Sequence, residues 1–173
     1  MYSNSNAQRG FTLMELMVSI TVLGILLAVA VPSFLEIVRN NRLVSQNNEF
    51  IGSLNLARSE ALKRSGSVSV CASADQATCS GSTDWTTGWI VFNDVTGNGT
   101  FDGADELLQV ADAAPAEFTM NATRSFVRFA STGMAPSGIE NFELFRSGCT
   151  GLHARRINVN MVGRVSTTTV ACP

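Results

Sequence analysis

The sequence predicts an α+β fold: one long N-terminal helix, membrane-spanning in its first half, whose second half packs against antiparallel β-sheet. Three observations predict it. Leu16 to Leu35 carry no charged residue, a one-sided apolar stripe follows at helical spacing, and beyond Gly66 the chain breaks into short β-branched and aromatic runs.

The uncharged run has the length of a membrane span. About twenty helical residues extend about 30 Å, the thickness of a bilayer's hydrocarbon core. A polar leader, residues 1–10, directly precedes it, and no small-x-small cleavage site ends it, so an ordinary secretory signal does not describe it. Glu15 interrupts the apolar stretch near its start, where an ionisable group is costly and marks a functional position. The alternative is local: Thr12-Leu-Met-Glu15 has the spacing of a capping box, with the glutamate returning to the Thr12 amide. Pro32 deletes the bond to the Ala28 carbonyl and predicts a kink, and Gly24 weakens the same stretch. Arg9 on one side, against Arg39 and Arg42 on the other, opposes the usual positive-inside bias.

Leu43, Asn47, Phe50, Leu54, Ala57 and Ala61 recur in alternating steps of four and three, one stripe of a continuing helix. Glu49, Arg58, Glu60 and Lys63 lie off it. The helix is expected from Phe11 to about Arg64, with Ser65-Gly66 as its stop. The resulting division is leader 1–10, transmembrane half 11–35, amphipathic half 36–65 and β-rich head 66–173.

In the head, Ser67-Val-Ser-Val-Cys71, Gly88-Trp-Ile-Val-Phe92, Leu107-Leu-Gln-Val110, Ser125-Phe-Val-Arg-Phe129, Asn141-Phe-Glu-Leu-Phe145 and Arg156-Ile-Asn-Val-Asn160 read as strands. Val162-Gly163 turns the last of these back into Arg164 to Ala171 as a hairpin. All four cysteines, Cys71, Cys79, Cys149 and Cys172, lie in this half, without a Cys-x-x-Cys pair and with a single histidine in the chain, so disulfides in an oxidising compartment are expected rather than zinc. Of three connectivities, Cys71 with Cys79 closes a small loop and Cys149 with Cys172 pins the C-terminus.

Near-zero net charge hides an asymmetry. Residues 71–119 carry eight acids and no Lys or Arg, whereas 120–173 carry six Arg against two Glu. An anionic partner is therefore expected at the C-terminal part. Asp94 to Asp105 has EF-hand-like spacing, with Asp94, Thr96, Asn98, Asp102 and Asp105 at the oxygen positions, Gly99 at the sixth and Thr100 at the seventh. Calcium is one reading, and an Asx-rich turn explains the same letters. With no nucleophile motif or phosphate loop, and Glu140 and Glu143 read as a solvated strand face, no enzyme is expected.

The string Gly10-Phe-Thr-Leu-Met-Glu15, followed by the apolar run to Pro32, resembles the prepilin segment of type IV pilins and type II secretion pseudopilins. The resemblance implies cleavage after Gly10 by a membrane prepilin peptidase and N-methylation of Phe11. It further implies a charge contact of Glu15 with a neighbouring subunit's amine during assembly, and a helix that loosens near Gly24 and Pro32 in a filament. Gly88-Trp-Ile-Val-Phe-Asn-Asp94 and Ile157-Asn-Val-Asn-Met-Val-Gly-Arg-Val165 are similar to the FimU, FimT and GspH branch. That branch implies a minor pilin anchored in the inner membrane with a periplasmic head, joining other minor pilins and the major pilin in a pilus. A type II secretion pseudopilin is the alternative. Some FimT proteins bind DNA through Gly-Arg-x-Arg; here Gly163-Arg164-Val165 is followed by Ser166, so DNA binding would rest on Arg155, Arg156 and Arg164.

Overall fold

The computed structural model describes residues 11–173. The leader and Gly10 lie outside the described residues. The chain divides into two units, one ending at Asn40 and the other comprising Asn41–Pro173.

Helix α1 spans Leu13–Arg64. Its start lies two residues past the expected one because Thr12 is the cap: the Thr12 hydroxyl accepts the Glu15 N–H at 3.2 Å. Among the described residues no bond joins the Glu15 carboxylate to the Thr12 amide, so only half of the expected capping box is made. At the other end the Gly66 N–H reaches the Ala61 carbonyl (3.2 Å) and the Ser65 N–H that of Leu62 (3.4 Å), the paired bonds of a Schellman stop. Ser65 itself takes the left-handed turn at φ 53°, one residue before the glycine the sequence offers for it.

Eight strands follow: β1 Val68–Ala72, β2 Trp89–Asn93, β3 Glu106–Ala111, β4 Phe118–Ala122, β5 Phe126–Phe129, β6 Glu140–Arg146, β7 Ala154–Val159 and β8 Val165–Val170. They form two four-stranded antiparallel sheets, ordered β3-β2-β1-β5 and β4-β6-β7-β8. Local strand patterns do not separate one sheet from two, and none of the expected strands corresponds to β4.

In the head unit every member of the stripe Leu43, Asn47, Phe50, Leu54, Ala57 and Ala61 is buried, with Ser53 beside it. Alternation supplies the facing surface: Val68, Val70, Trp89, Val91, Val127 and Phe129 from the first sheet, Phe142, Leu144, Ile157 and Val159 from the second. Phe50 sits at the centre, its ring edge-on to Trp85, Trp89 and Phe142 at 5.5, 4.9 and 4.6 Å. Burying such a ring stabilises the fold by about 1.5–3 kcal/mol, with about 0.5–1.5 more for each aromatic pair.

The opposite face of the first sheet carries a second, smaller core of Cys71, Ile90 and Phe92, on which Cys79, Phe101 and Phe126 pack. Two loops cover it. One is stapled by Cys71–Cys79, and the other is the acidic Asp94–Asp105 segment, whose Phe101 lies edge-on to Phe92 at 5.4 Å. Cys149–Cys172 is the second disulfide, and the Cys172 N–H also bonds the Gly151 carbonyl at 2.9 Å.

Candidate functional site: an apolar helix and a charged head surface

In the N-terminal unit the most apolar eighteen-residue window of α1 has no buried residue. Large side chains from Leu13 to Ile37 lie open on every side, as in a helix whose surroundings are apolar rather than aqueous. Phe11 is 82% exposed. Glu15 is exposed, and its backbone carbonyl accepts the Ser19 hydroxyl at 2.7 Å, which holds the backbone but leaves the carboxylate available. Gly24 has nothing within 4 Å of where a Cβ would stand, so packing inside the molecule does not require a glycine there. Pro32 lies within the helix.

The acidic loop has a structural assignment. Asp94 is fully buried; one of its oxygens accepts the Ser69 hydroxyl (2.7 Å) and the Gly99 N–H (2.8 Å), the other the Asn98 N–H (3.0 Å). Asp105 accepts the N–H groups of Val95 and Asp102, Asp102 that of Ala104, and the Asn98 side chain that of Thr100. These oxygens face backbone donors, not a common centre, and among the described residues no group of three acids, cysteines or histidines is placed to hold a metal. The residues do not fit a calcium ion; the Asx-turn reading describes them, and Thr96 has no part in it. Gly99 is required at φ 75°, where a Cβ would stand 2.4 Å from the Phe126 ring.

The C-terminal arginines are not gathered into one free patch. Arg156 gives two bonds to one Glu143 oxygen, at 3.1 and 2.7 Å, across the β6–β7 pair. Among the described residues Arg155 bonds only neutral oxygens, the Thr169 hydroxyl at 2.9 Å and its neighbour's carbonyl. Arg128 bonds the Gly97 carbonyl and Arg124 pairs with Glu140, while Arg164 is exposed. Acids of residues 71–119 pair elsewhere, with cations of α1: Glu117 with Arg42 and Glu106 with Arg64.

Glu140 corrects the expectation of a solvated strand face. It is 1% exposed at the first position of β6, where Oε2 accepts the Thr123 hydroxyl (3.0 Å) and Oε1 lies 2.9 Å from Arg124 Nε without the angle of a hydrogen bond. Burial pushes its carboxyl above the usual range, against the opposing pull of Thr123 and Arg124. Glu143, three residues on, sits on the outer face as expected.

Gly163 has a purpose that sequence spacing did not reveal. At φ 75°, a Cβ there would stand 1.9 Å from the Gly133 carbonyl oxygen and 3.1 Å from Arg58 Nε. Arg58, from α1, donates to that same Gly133 carbonyl (3.0 Å) and to the Val162 carbonyl (3.1 Å), tying two turns to the helix. The glycine of Gly163-Arg164 therefore permits a close backbone approach, independently of any ligand.

Residues 46–163 match the family model described as Type II transport protein GspH, and residues 5–31 match the prokaryotic N-terminal methylation motif. The chain belongs to the GspH family of type IV pilin-like proteins. In fold it is similar to the crystal structure of the type IV minor pilin FimU of Pseudomonas aeruginosa, with TM-score 0.59 and 23% identity over 78% of this chain and 91% of that one. It is also similar to the minor pseudopilin EpsH of the type 2 secretion system of Vibrio cholerae, with TM-score 0.52 and 11% identity over 74% and 97%. No curated protein is a significant match to the chain.

Proposed function

We propose that the chain is a minor type IV pilin, a structural subunit that primes or joins the pilus alongside the major pilin and other minor pilins. A prepilin peptidase removes residues 1–10 at Gly10, Phe11 is methylated, and residues 11–35 anchor the protein in the inner membrane until it is drawn into the filament. The head from residue 66 onward remains periplasmic, where its two disulfides are stable. The observation that carries this reading is an apolar, fully exposed helix that begins at a methylation motif, carries no charge from Leu16 to Leu35 and continues into the core helix of a GspH-type head.

Glu15 sits in the first turn of that helix, and in hydrocarbon its carboxylate is better placed against a neighbour's amine than alone. The assembly role is tested by deleting the gene and complementing with wild type or with Glu15→Leu. Wild type is expected to restore surface fibres and Glu15→Leu to leave few; fibres of normal number in the deletion strain would contradict the reading.

A pseudopilin of type II secretion is the second reading, favoured by the GspH family match, and co-purification with a secretion rather than a pilus apparatus decides for it. The DNA reading loses support because Arg156 is already neutralised by Glu143.

A further inference from the structure

Sheet edges are templates for pairing with another chain unless something blocks them. Three of the four edges in this head are blocked. Beside β4 lies the 83–86 segment, with Trp85 N–H bonding the Met120 carbonyl, Ala122 N–H the Thr83 carbonyl and Met120 N–H the Thr86 hydroxyl. β3 carries Glu106, ion-paired to Arg64, and a register shift opposite Val91/Phe92. β5 is only four residues long.

β8 has none of these devices. It is six residues of Val, Ser and Thr, uncharged and without a bulge in its pairing to β7, and its four central side chains are exposed. The direction of its backbone groups follows from the hairpin. The Asn160 N–H bonds the Arg164 carbonyl (3.1 Å), which marks that pair as a bonded one. Antiparallel alternation then turns the groups of Ser166, Thr168 and Val170 toward β7 and those of Val165, Thr167 and Thr169 outward. Cys172, next in the inward series, does bond inward, to Gly151. The outward N–H and C=O groups of Val165, Thr167 and Thr169 meet no other strand among the described residues.

We propose that β8 is the docking edge for an extended, acidic-ended strand of a different pilin-like subunit, which adds antiparallel to β8 as a fifth strand of the second sheet. Charge selects the partner. Arg164 stands at one end of β8 and Arg155, opposite Thr169, at the other; neither has a carboxylate partner among the described residues, while both glutamates of residues 120–173 are committed to Arg124 and Arg156. A strand with an uncharged, β-branched middle and an acid at each end matches this edge.

A second copy of the chain does not. Antiparallel β8–β8 pairing needs a two-fold axis normal to the sheet, and that axis reverses the α1 segment packed beneath it, where Asn47 bonds the Thr167 hydroxyl at 3.0 Å. Two chains so paired could not enter one membrane in the same direction. This exclusion of a self-pair rests on the membrane-anchored reading; the open edge and its charges do not.

The test uses the full chain in detergent micelles and two fluorescent peptides, ETVTVTE and KTVTVTK, followed by anisotropy. The acidic peptide is expected to bind at least tenfold more tightly than the basic one. Thr167→Pro, which deletes an outward N–H at an edge where proline is tolerated, should weaken it at least tenfold. Arg155→Glu with Arg164→Glu should reverse the preference without touching the backbone, which keeps the test valid if the proline variant misfolds. Equal binding of both peptides, no binding, or a preference unmoved by the charge reversal would overturn the proposal. Because no fibre forms in micelles, failure here leaves the pilus reading standing, and normal fibres after gene deletion would leave this result standing.

Discussion

Two carboxylates three residues apart on β6 have opposite fates, and the difference is a matter of where each side chain ends. Glu143 faces outward and holds Arg156; Glu140 faces inward against Thr123, with only Arg124 for charge compensation. Since burial raises the Glu140 carboxyl above its ordinary value, the folded chain holds this proton more tightly than the unfolded chain does. The group is therefore least costly below the ordinary glutamate range, and it subtracts stability as pH rises through the raised value. Glu140→Gln keeps an acceptor for the Thr123 hydroxyl and removes the charge. The variant is expected to melt above wild type at pH 7 and level with it at pH 4, measured by thermal unfolding in detergent. A lower melting point at pH 7 would show that the Arg124 pair outweighs burial. Strand parity carried the difference: Glu140 shares its face with Phe142 and Leu144, and Glu143 shares its face with Asn141, but the charge of Glu140 masked that signal.

At the scale of elements, legibility followed the strength of the periodic signal. The stripe from Leu43 to Ala61 could be read because its spacing leaves one face for burial, and that face is the buried one. β4, Phe-Thr-Met-Asn-Ala, could not: it has a single β-branched residue and is held by its bonds to β6 and to the 83–86 segment. The β7–β8 turn was legible as a hairpin, but the reason for its glycine lay in Gly133 and Arg58, distant in sequence. Gly163→Ala forces a left-handed alanine and a Cβ into the Gly133 carbonyl, so a loss of about 3 kcal/mol or more is expected in urea unfolding. Arg164→Ala at the exposed neighbour should change stability by less than about 0.5 kcal/mol. Equal effects of the two would refute the close-approach role of the glycine.

Across the whole chain, two kinds of surface make one subunit. The N-terminal unit is helical, apolar and unburied, and the head unit closes two cores, two disulfides and a covering acidic loop around the other end of the same helix. The prepilin motif was legible because it is contiguous, and residues 5–31 match the N-terminal methylation motif. The open β8 edge was not, since edge status depends on sheet order, which no local string encodes. On this account an exposed apolar helix is stable only when lipid or sister helices surround it, and the mature end that enters such packing is free of the leader. The most direct measurement is the N-terminal mass of the protein purified from native membranes. The account predicts a chain beginning at Phe11 with one added methyl group, and a chain still beginning at Met1, or at an unmodified residue elsewhere, would contradict it.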